Sequence, residues 1–359
     1  MTKIMPEAFF VMPKEAFVTT ACEKVFVDFL YSKLGLVIRK HQLNGLHNAI
    51  YEGCRYFGHG NWQDYFAALK YGNNVSPEME QLIAAVTIGE SYFFRDQNQI
   101  AWLRDTWLPQ MIDQRRKQGD LSLRIWSAGC SSGQELYTLA ILLAEALPDL
   151  DAWNIHLMGT DINADVLSNA LRGHYSSWSF RATPDAVRDR YFNSQNNGFT
   201  INDHLRHMAC FTYLNLADDE YPSMLTQTNS MDLILCRNVF IYFDKAEVDR
   251  VMQRFSRCLL PGGVLMLGAS DLIASGIDSL RLIQHENIFY YHNSSPQSYD
   301  SGSINNYDAV SVSQDKPNAA RQRTVQLRLK NHRCRYLRQM RSMRYCMMVA
   351  GLKRSISSK

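Results

Sequence analysis

The sequence predicts an α/β protein, a doubly wound sheet preceded by an all-α N-terminal domain and carrying a small inserted β-subdomain. Three observations carry this. Short apolar strand-like segments alternate with helical periodicity after about residue 89. One of them, residues 123–128, runs through Gly129 and Gly133 directly into a helix. Before residue 89, the apolar residues instead fall at three- and four-residue steps.

Taken in order, residues 21–36, 41–57 and 61–71 each group apolar side chains on one helical face. These are Phe26, Phe29 and Leu30; Leu43, Leu46 and Ile50; and Tyr65, Phe66 and Leu69. Glycine-containing breaks separate them. A further helix over 77–88 leads into Gly89-Glu-Ser-Tyr-Phe-Phe-Arg95, so residues 1–88 are expected to form the helical N-terminal domain. Strands are expected at 123–128, 156–160, 211–214, 232–236, 264–269 and 289–292, with helices between most of them. After Tyr175 a polar segment precedes residues 198–202 and 205–211, which read as a short hairpin, so 175–210 form the expected insertion within a domain of residues 89–293. In Leu259-Leu-Pro-Gly-Gly-Val-Leu-Met-Leu267 a helix end, a turn and a strand follow one another, with Gly262 and Gly263 giving backbone freedom.

Composition narrows the class further. With 359 residues and 46% hydrophobic content the chain can bury a large core, two domains and a tail being expected. The start has no charged-then-apolar signal pattern and no apolar run reaches membrane-spanning length, which predicts a cytoplasmic protein. Eight cysteines, at 22, 54, 130, 210, 236, 258, 334 and 346, lack Cys-x-x-Cys pairs and nearby histidines. They read as reduced, mostly buried thiols; no metal site or disulfide framework is expected. The net charge of +3 is uneven: residues 321–359 hold twelve Lys or Arg and no acid, leaving the first 320 residues at −9. A polar stretch over 294–318 has too few apolar residues to pack, so 294–359 read as a flexible linker and basic tail. Within it Val325, Leu329, Leu337, Met340, Met343 and Met347 are loosely helical in spacing. Composition favours a solvated tail; a basic amphipathic helix would suit an acidic partner, a membrane surface or RNA.

The Gly129–Gly133 turn suits a ligand brought close to the backbone at a helix N-terminus. Asp161 ends the next strand, where a carboxylate grips a ribose diol. Each residue also has a structural reading. Ser132-x-x-Glu135 fits a capping box, and Asp161 fits the N-cap of the next helix, a role compatible with ligand binding. Arg237 and Asn238 follow the buried strand 231–236 at the edge where ligands sit, although Asn238 also suits a loop that bonds its own backbone. Tyr242 and Phe243 read equally as core aromatics. Strand, glycine turn, helix and strand-end Asp together point to a nucleotide or an S-adenosyl ligand.

Several segments occur in a familiar order: Ser91-Tyr-Phe-Phe-Arg95, Trp126-Ser-Ala-Gly-Cys-Ser-Ser-Gly-Gln-Glu-Leu-Tyr137, Gly159-Thr-Asp-Ile162, Asn215-Leu216 and Cys236-Arg-Asn-Val-Phe-Ile-Tyr-Phe243. Over residues 20–293 the chain closely resembles the CheR-type chemotaxis receptor methyltransferases. The resemblance implies a Rossmann-like methyltransferase domain using S-adenosyl-L-methionine and methylating glutamate side chains on the cytoplasmic helices of chemoreceptors. It assigns Ser91, Arg95, Glu135, Asp161, Asn215, Leu216, Arg237 and Asn238 to the cofactor pocket, with Asp161 on the ribose and Asn215-Leu216 beside the adenine. Arg95 and Tyr242 would face the reacting methyl.

This chain departs from the family pattern at several positions. Gly89 and Ser91 stand where the family usually has Asn and Thr, Gln134 replaces a glutamate and Leu136 a proline. Gly268-Ala-Ser-Asp271 stands in place of Gly-His-Ser-Glu. The second helix, arginine-rich in the family, has no arginine over 43–51, only Arg39, Lys40 and Arg55 flanking it. The insertion is poor in glycine, so a tether-independent enzyme is expected. A cofactor-binding regulator of the same fold, with weak or no turnover, is the second reading. Signatures of base methylation are absent, and no specific nucleic-acid partner is expected.

Overall fold

The computed structural model describes residues 17–294 apart from 73–75, 88, 196 and 272–276. The expected linker and tail beyond Ser294 and the expected helix end at Ile88 lie outside the described residues.

Among the described residues, four α-helices of ten residues or more come before the sheet's lead-in. α1 (Thr20–Leu34) begins where Thr19 Oγ1 accepts from Cys22 N at 3.3 Å and ends at Gly35, in the left-handed region. α2 (Leu43–Phe57), α3 (Trp62–Tyr71) and α4 (Pro77–Val86) follow; Asn61 and Ser76 cap the last two through Asp64 N and Met79 N. Phe26, Leu30, Leu46, Ile50, Tyr65 and Leu69 are all fully buried, as the three- and four-residue spacing requires. Their apolar cluster continues into the sheet, taking in Trp126, Met158, Leu214, Phe240 and Phe243.

α5 (Gln97–Trp102) then passes through a π-helical turn over Leu103–Trp107 into α6 (Leu108–Gln118). The alternating part comprises β1 (Ser122–Ala128), α7 (Gln134–Ala146), β2 (Asn154–Asp161), α8 (Ala164–Arg172), β3 (His174–Tyr175), α9 (Asp185–Tyr191), β4 (Phe192–Gln195) and β5 (Gly198–Ile201). It continues with α10 (Asp203–Met208), β6 (Ala209–Tyr213), β7 (Met231–Cys236), α11 (Lys245–Cys258), β8 (Leu259–Leu267), β9 (Leu280–His285) and β10 (Ile288–Asn293).

The main sheet has seven strands in the order β6-β2-β1-β7-β8-β10-β9. The first five are parallel and β10 runs antiparallel to both β8 and β9. Every residue of β7 is buried, as expected of a central parallel strand covered on both faces. From β1 the chain builds outward through β2 to β6, then returns to β1's other side with β7. The crevice beyond the carboxyl ends of β1 and β7 is where such sheets hold ligands.

Three expectations need correction. Residues 205–211 are not the second strand of a hairpin: Leu205–Met208 belong to α10, and Ala209–Phe211 open β6 against Leu157–Gly159 of β2. The inserted β structure is a three-stranded antiparallel sheet, β3-β5-β4, in which Gly198–Ile201 pairs with upstream Phe192–Gln195. Asn193, Ser194 and Gln195 are exposed, so that strand carries no apolar signal. Pro261-Gly262-Gly263 is an irregularity within β8 rather than a turn before it; the register with β7 shifts between Met231 and Leu233. β9 went unpredicted because only Leu280 of its six residues is buried.

Candidate active site

The turn after β1 is held by the end of β2. Gly129 N and Cys130 N both donate to Thr160 O, at 2.8 and 2.9 Å, and Ser131 N donates to Asp161 Oδ2 at 2.8 Å. Gly129, Ser131 and Gly133 all have positive φ, at 76°, 50° and 86°. A Cβ at Gly129 would lie 2.4 Å from Val239 Cγ2, so this glycine lets the turn close against the loop after β7. Three amides thus fasten the turn to β2 instead of being left for a ligand.

Asp161 is not the helix cap. Its Oδ1 accepts from Asn163 N at 2.9 Å, and Asn163 itself caps α8 through Asp165 N and Val166 N. Burial pushes the Asp161 carboxyl above its ordinary pKa, against the opposing pull of backbone donors from Asn163, Ser131 and Ile162.

Nor does Glu135 fold back onto its own helix. The N-cap of α7 is Gly133, without a side-chain cap. Glu135 Oε1 accepts from Ser127 Oγ at 2.6 Å, and Oε2 pairs with Arg237 Nε at 2.9 Å. Arg237, 8% exposed, also donates to Gln99 Oε1 at 3.3 Å and to the carbonyl of Arg95 at 2.7 Å. One guanidinium therefore ties the end of β7 to α7, to α5 and to the loop that carries Arg95.

That loop forms another wall. Ser131 Oγ donates to Gly89 O at 2.7 Å, Phe94 N donates to Thr138 Oγ1 at 3.1 Å, and Phe93 is fully buried among Tyr175, Phe180 and Phe192. Phe94 and Asp96 have positive φ, at 56° and 62°, so Arg95 sits between two left-handed non-glycine residues. Such backbone strain concentrates at functional sites. Arg95 Nη1 donates to Glu90 O at 3.4 Å.

The loop after β7 is held by a residue to which sequence reasoning gave no role. Asp271 accepts from Asn238 N, Phe240 N and Gly268 N at 2.5, 3.0 and 2.8 Å. Burial raises its pKa too, against the pull of these backbone donors. A carboxylate soon after the end of a buried strand was the available signal. Asn238 adopts a φ of 61°, and Tyr242 O accepts from Val37 N at 2.8 Å. After β6, Asn215 shapes its own turn, accepting from Ala217 N and donating to Asp218 Oδ1, both at 3.1 Å. Leu216 O accepts from the Tyr221 hydroxyl at 2.8 Å.

These segments enclose one pocket of about 1030 Å³, open mouth included. Ser91, Arg95, Glu135, Asp161, Asn215, Leu216, Arg237, Asn238 and Tyr242 all line it. Leu36, Thr87, Asn163 and Val166 also contribute and were not singled out in the sequence; Leu36 comes from the helical region. The lining fits S-adenosylmethionine: two carboxylates for a cationic, diol-bearing ligand, and Ile162, Val166, Leu214 and Leu216 as an apolar wall for a base. Among the described residues no group of three or more His, Cys, Asp or Glu could hold a metal. Of the six described cysteines, only Cys210 is exposed.

Fold and pocket define the class as an α/β methyltransferase that uses S-adenosylmethionine. The chain belongs to the CheR methyltransferase family: the family model for "CheR methyltransferase, SAM binding domain" matches residues 89–289. Chemotaxis protein methyltransferase 2 of Vibrio cholerae is 31% identical over 247 residues, covering 68% of this chain and 83% of that one. The chemotaxis protein methyltransferase of Salmonella typhimurium is 29% identical over 249 residues, covering 68% and 81%. Chemotaxis protein methyltransferase 1 of Pseudomonas aeruginosa is 34% identical over 212 residues, covering 57% and 74%. No described helix is long and apolar enough to cross a membrane.

Proposed function

We propose that the chain transfers a methyl group from S-adenosylmethionine to glutamate side chains on the cytoplasmic helices of a chemoreceptor, forming glutamyl methyl esters. The observation that carries this reading is that nine residues, drawn from five separate segments, line a single pocket with Arg95 on its wall. The cofactor, when bound, supplies an electrophilic methyl on a sulfonium. A glutamate carboxylate is ionised near neutral pH, so in-line displacement needs no strong base and rests on positioning.

Asp161 holds the ribose diol, and its backbone donors fix the direction in which its oxygens point. Glu135 and Arg237 neutralise each other within the wall, leaving Glu135 Oε1 and Oε2 anchored beside the cationic end of the cofactor. Asn215 and Leu216 flank the adenine. Arg95 orients the substrate carboxylate through charge-assisted hydrogen bonds, and Tyr242 lines the transfer path. We further read residues 1–88 as the helical region that closes the site, 175–210 as the inserted subdomain, and the basic tail as a contact for an acidic partner or membrane surface. The reaction belongs in the cytoplasm, where the receptor helices lie.

Incubation with methyl-labelled S-adenosylmethionine and membranes containing the organism's chemoreceptors tests the reading. The expected result is label in a receptor band, released by mild alkali. Tight cofactor binding with no label in any protein would favour the regulator instead.

A further inference from the structure

Besides Arg95 and Arg237, which line the pocket, a further arginine stands close to it. Arg181 follows the 3-10 turn Ser177–Phe180 of the insertion, and its guanidinium lies 3.8 Å from the Tyr92 ring and 4.6 Å from the Trp178 ring. The Arg95 guanidinium lies 5.5 Å from the same Tyr92 ring, so two cations share one aromatic face-bearing residue. Glu90 and Tyr92 line the pocket, and Trp178 beside them is 66% exposed. The two segments are fastened together from below: Phe93 N donates to Ser179 O at 2.9 Å, and Phe93 stacks on Phe180 with ring centroids 4.9 Å apart.

Arg181 is already bound to a carboxylate. Its Nη2 lies 3.0 Å from Glu90 Oε1, while Nη1 donates to Trp178 O at 2.9 Å. The Glu90 side chain is 62% exposed. With its carboxylate half this open to solvent, the pair is weak enough to exchange with a competing carboxylate, while the Arg181 side chain is 23% exposed. The planar guanidinium, by contrast, is pre-oriented against two rings and needs little ordering when a new partner arrives.

We propose that Arg181 is a second carboxylate-binding arginine, receiving another acidic side chain of the substrate segment whose target glutamate sits at Arg95. Glu90 holds that place in the free protein. The assignment rests on the proposed methylation of receptor glutamates and names the chemistry recognised: an acidic peptide segment presenting two carboxylates, with Trp178 offering an exposed aromatic surface beside them. It also supplies cationic recognition at the pocket, where the second helix lacks arginines over 43–51.

A purely structural staple makes a different prediction, because breaking the Glu90–Arg181 pair from either side would then do the same harm. Calorimetry with a purified receptor cytoplasmic fragment separates the two, using the full chain, Glu90→Gln and Arg181→Gln. Glu90→Gln should bind the fragment about threefold more tightly, by removing a weak competing pair. Arg181→Gln should bind it about tenfold more weakly, by losing a charge-assisted hydrogen bond, while its affinity for S-adenosylmethionine stays within about twofold. Weaker fragment binding in both variants, unchanged binding in Arg181→Gln, or no binding by the unsubstituted chain would overturn the proposal. If the affinity order holds but the unsubstituted chain transfers no methyl, the proposed reaction fails and the docking assignment stands.

Discussion

At the scale of single residues, Arg95 and Arg237 divide into two kinds of work. Arg237 reaches Arg95 through the backbone carbonyl, so the Arg95 side chain is free of scaffold duty on that side. Arg95→Ala should therefore lower single-turnover methyl transfer by about two orders of magnitude or more, with the unfolding free energy changed by no more than about 0.5 kcal/mol. An unchanged transfer rate would remove Arg95 from the chemistry. Arg237→Ala should behave oppositely, costing about 3 kcal/mol in urea unfolding because it removes a buried guanidinium and strands its half-buried partner Glu135. The positions of these residues were legible from strand-end polar residues and motif order. Their bonding was not: the capping box at Ser132 and Glu135 is a local pattern, and the Arg237 guanidinium 2.9 Å away, from a strand a hundred residues downstream, overrides it.

At the scale of elements, the site is a set of strand ends pinned together by backbone hydrogen bonds to buried carboxylates. Asp271→Ala would deprive three amides of their acceptor and should cost about 3 kcal/mol, with a loss of cofactor affinity measurable by calorimetry as the loop after β7 loosens. Gly129→Ala combines a positive φ with a 2.4 Å approach to Val239 and should cost about 2 kcal/mol. Val239→Ala should restore part of that loss, and additive losses in the double variant would refute the contact. The main strands were readable because parallel strands buried on both faces are continuous apolar runs. The insertion was not, since its strands are two to four residues long and β4 faces solvent with Asn, Ser and Gln. Residues 205–211 end in the apolar run Met208-Ala-Cys-Phe211 and so read as a strand, but the structure splits them between α10 and β6.

At the scale of the whole molecule, three aspartates, the half-buried Asp161 and the buried Asp232 and Asp271, have their pKa values raised mainly by desolvation. A folded-state pKa above the unfolded value means that the native state holds the proton more tightly. Stability from these groups therefore grows as pH falls through the raised values and shrinks as pH rises through them. For cofactor-free protein, Asp161→Asn should accordingly compare best with the unsubstituted chain at neutral pH and progressively worse on acidification, as read from urea midpoints. On the proposed role of Asp161, cofactor affinity should move the other way, weakening as pH drops, because a carboxylate must be ionised to accept fully from both hydroxyls of a diol. The pocket is lined by residues from Leu36 to Phe243, so a chain ending at Ser294 should keep its affinity for S-adenosylmethionine within about twofold. Any effect of the basic tail should be confined to receptor or membrane affinity.

The most direct measurement is mass spectrometry of a purified receptor cytoplasmic fragment after a single turnover with the full chain and S-adenosylmethionine. The expected product is a methyl ester on glutamate side chains, absent when Arg95→Ala replaces the full chain and lost after mild alkali. An unmodified fragment, in a reaction where the chain has bound S-adenosylmethionine stoichiometrically, would contradict methyl transfer to receptor glutamates.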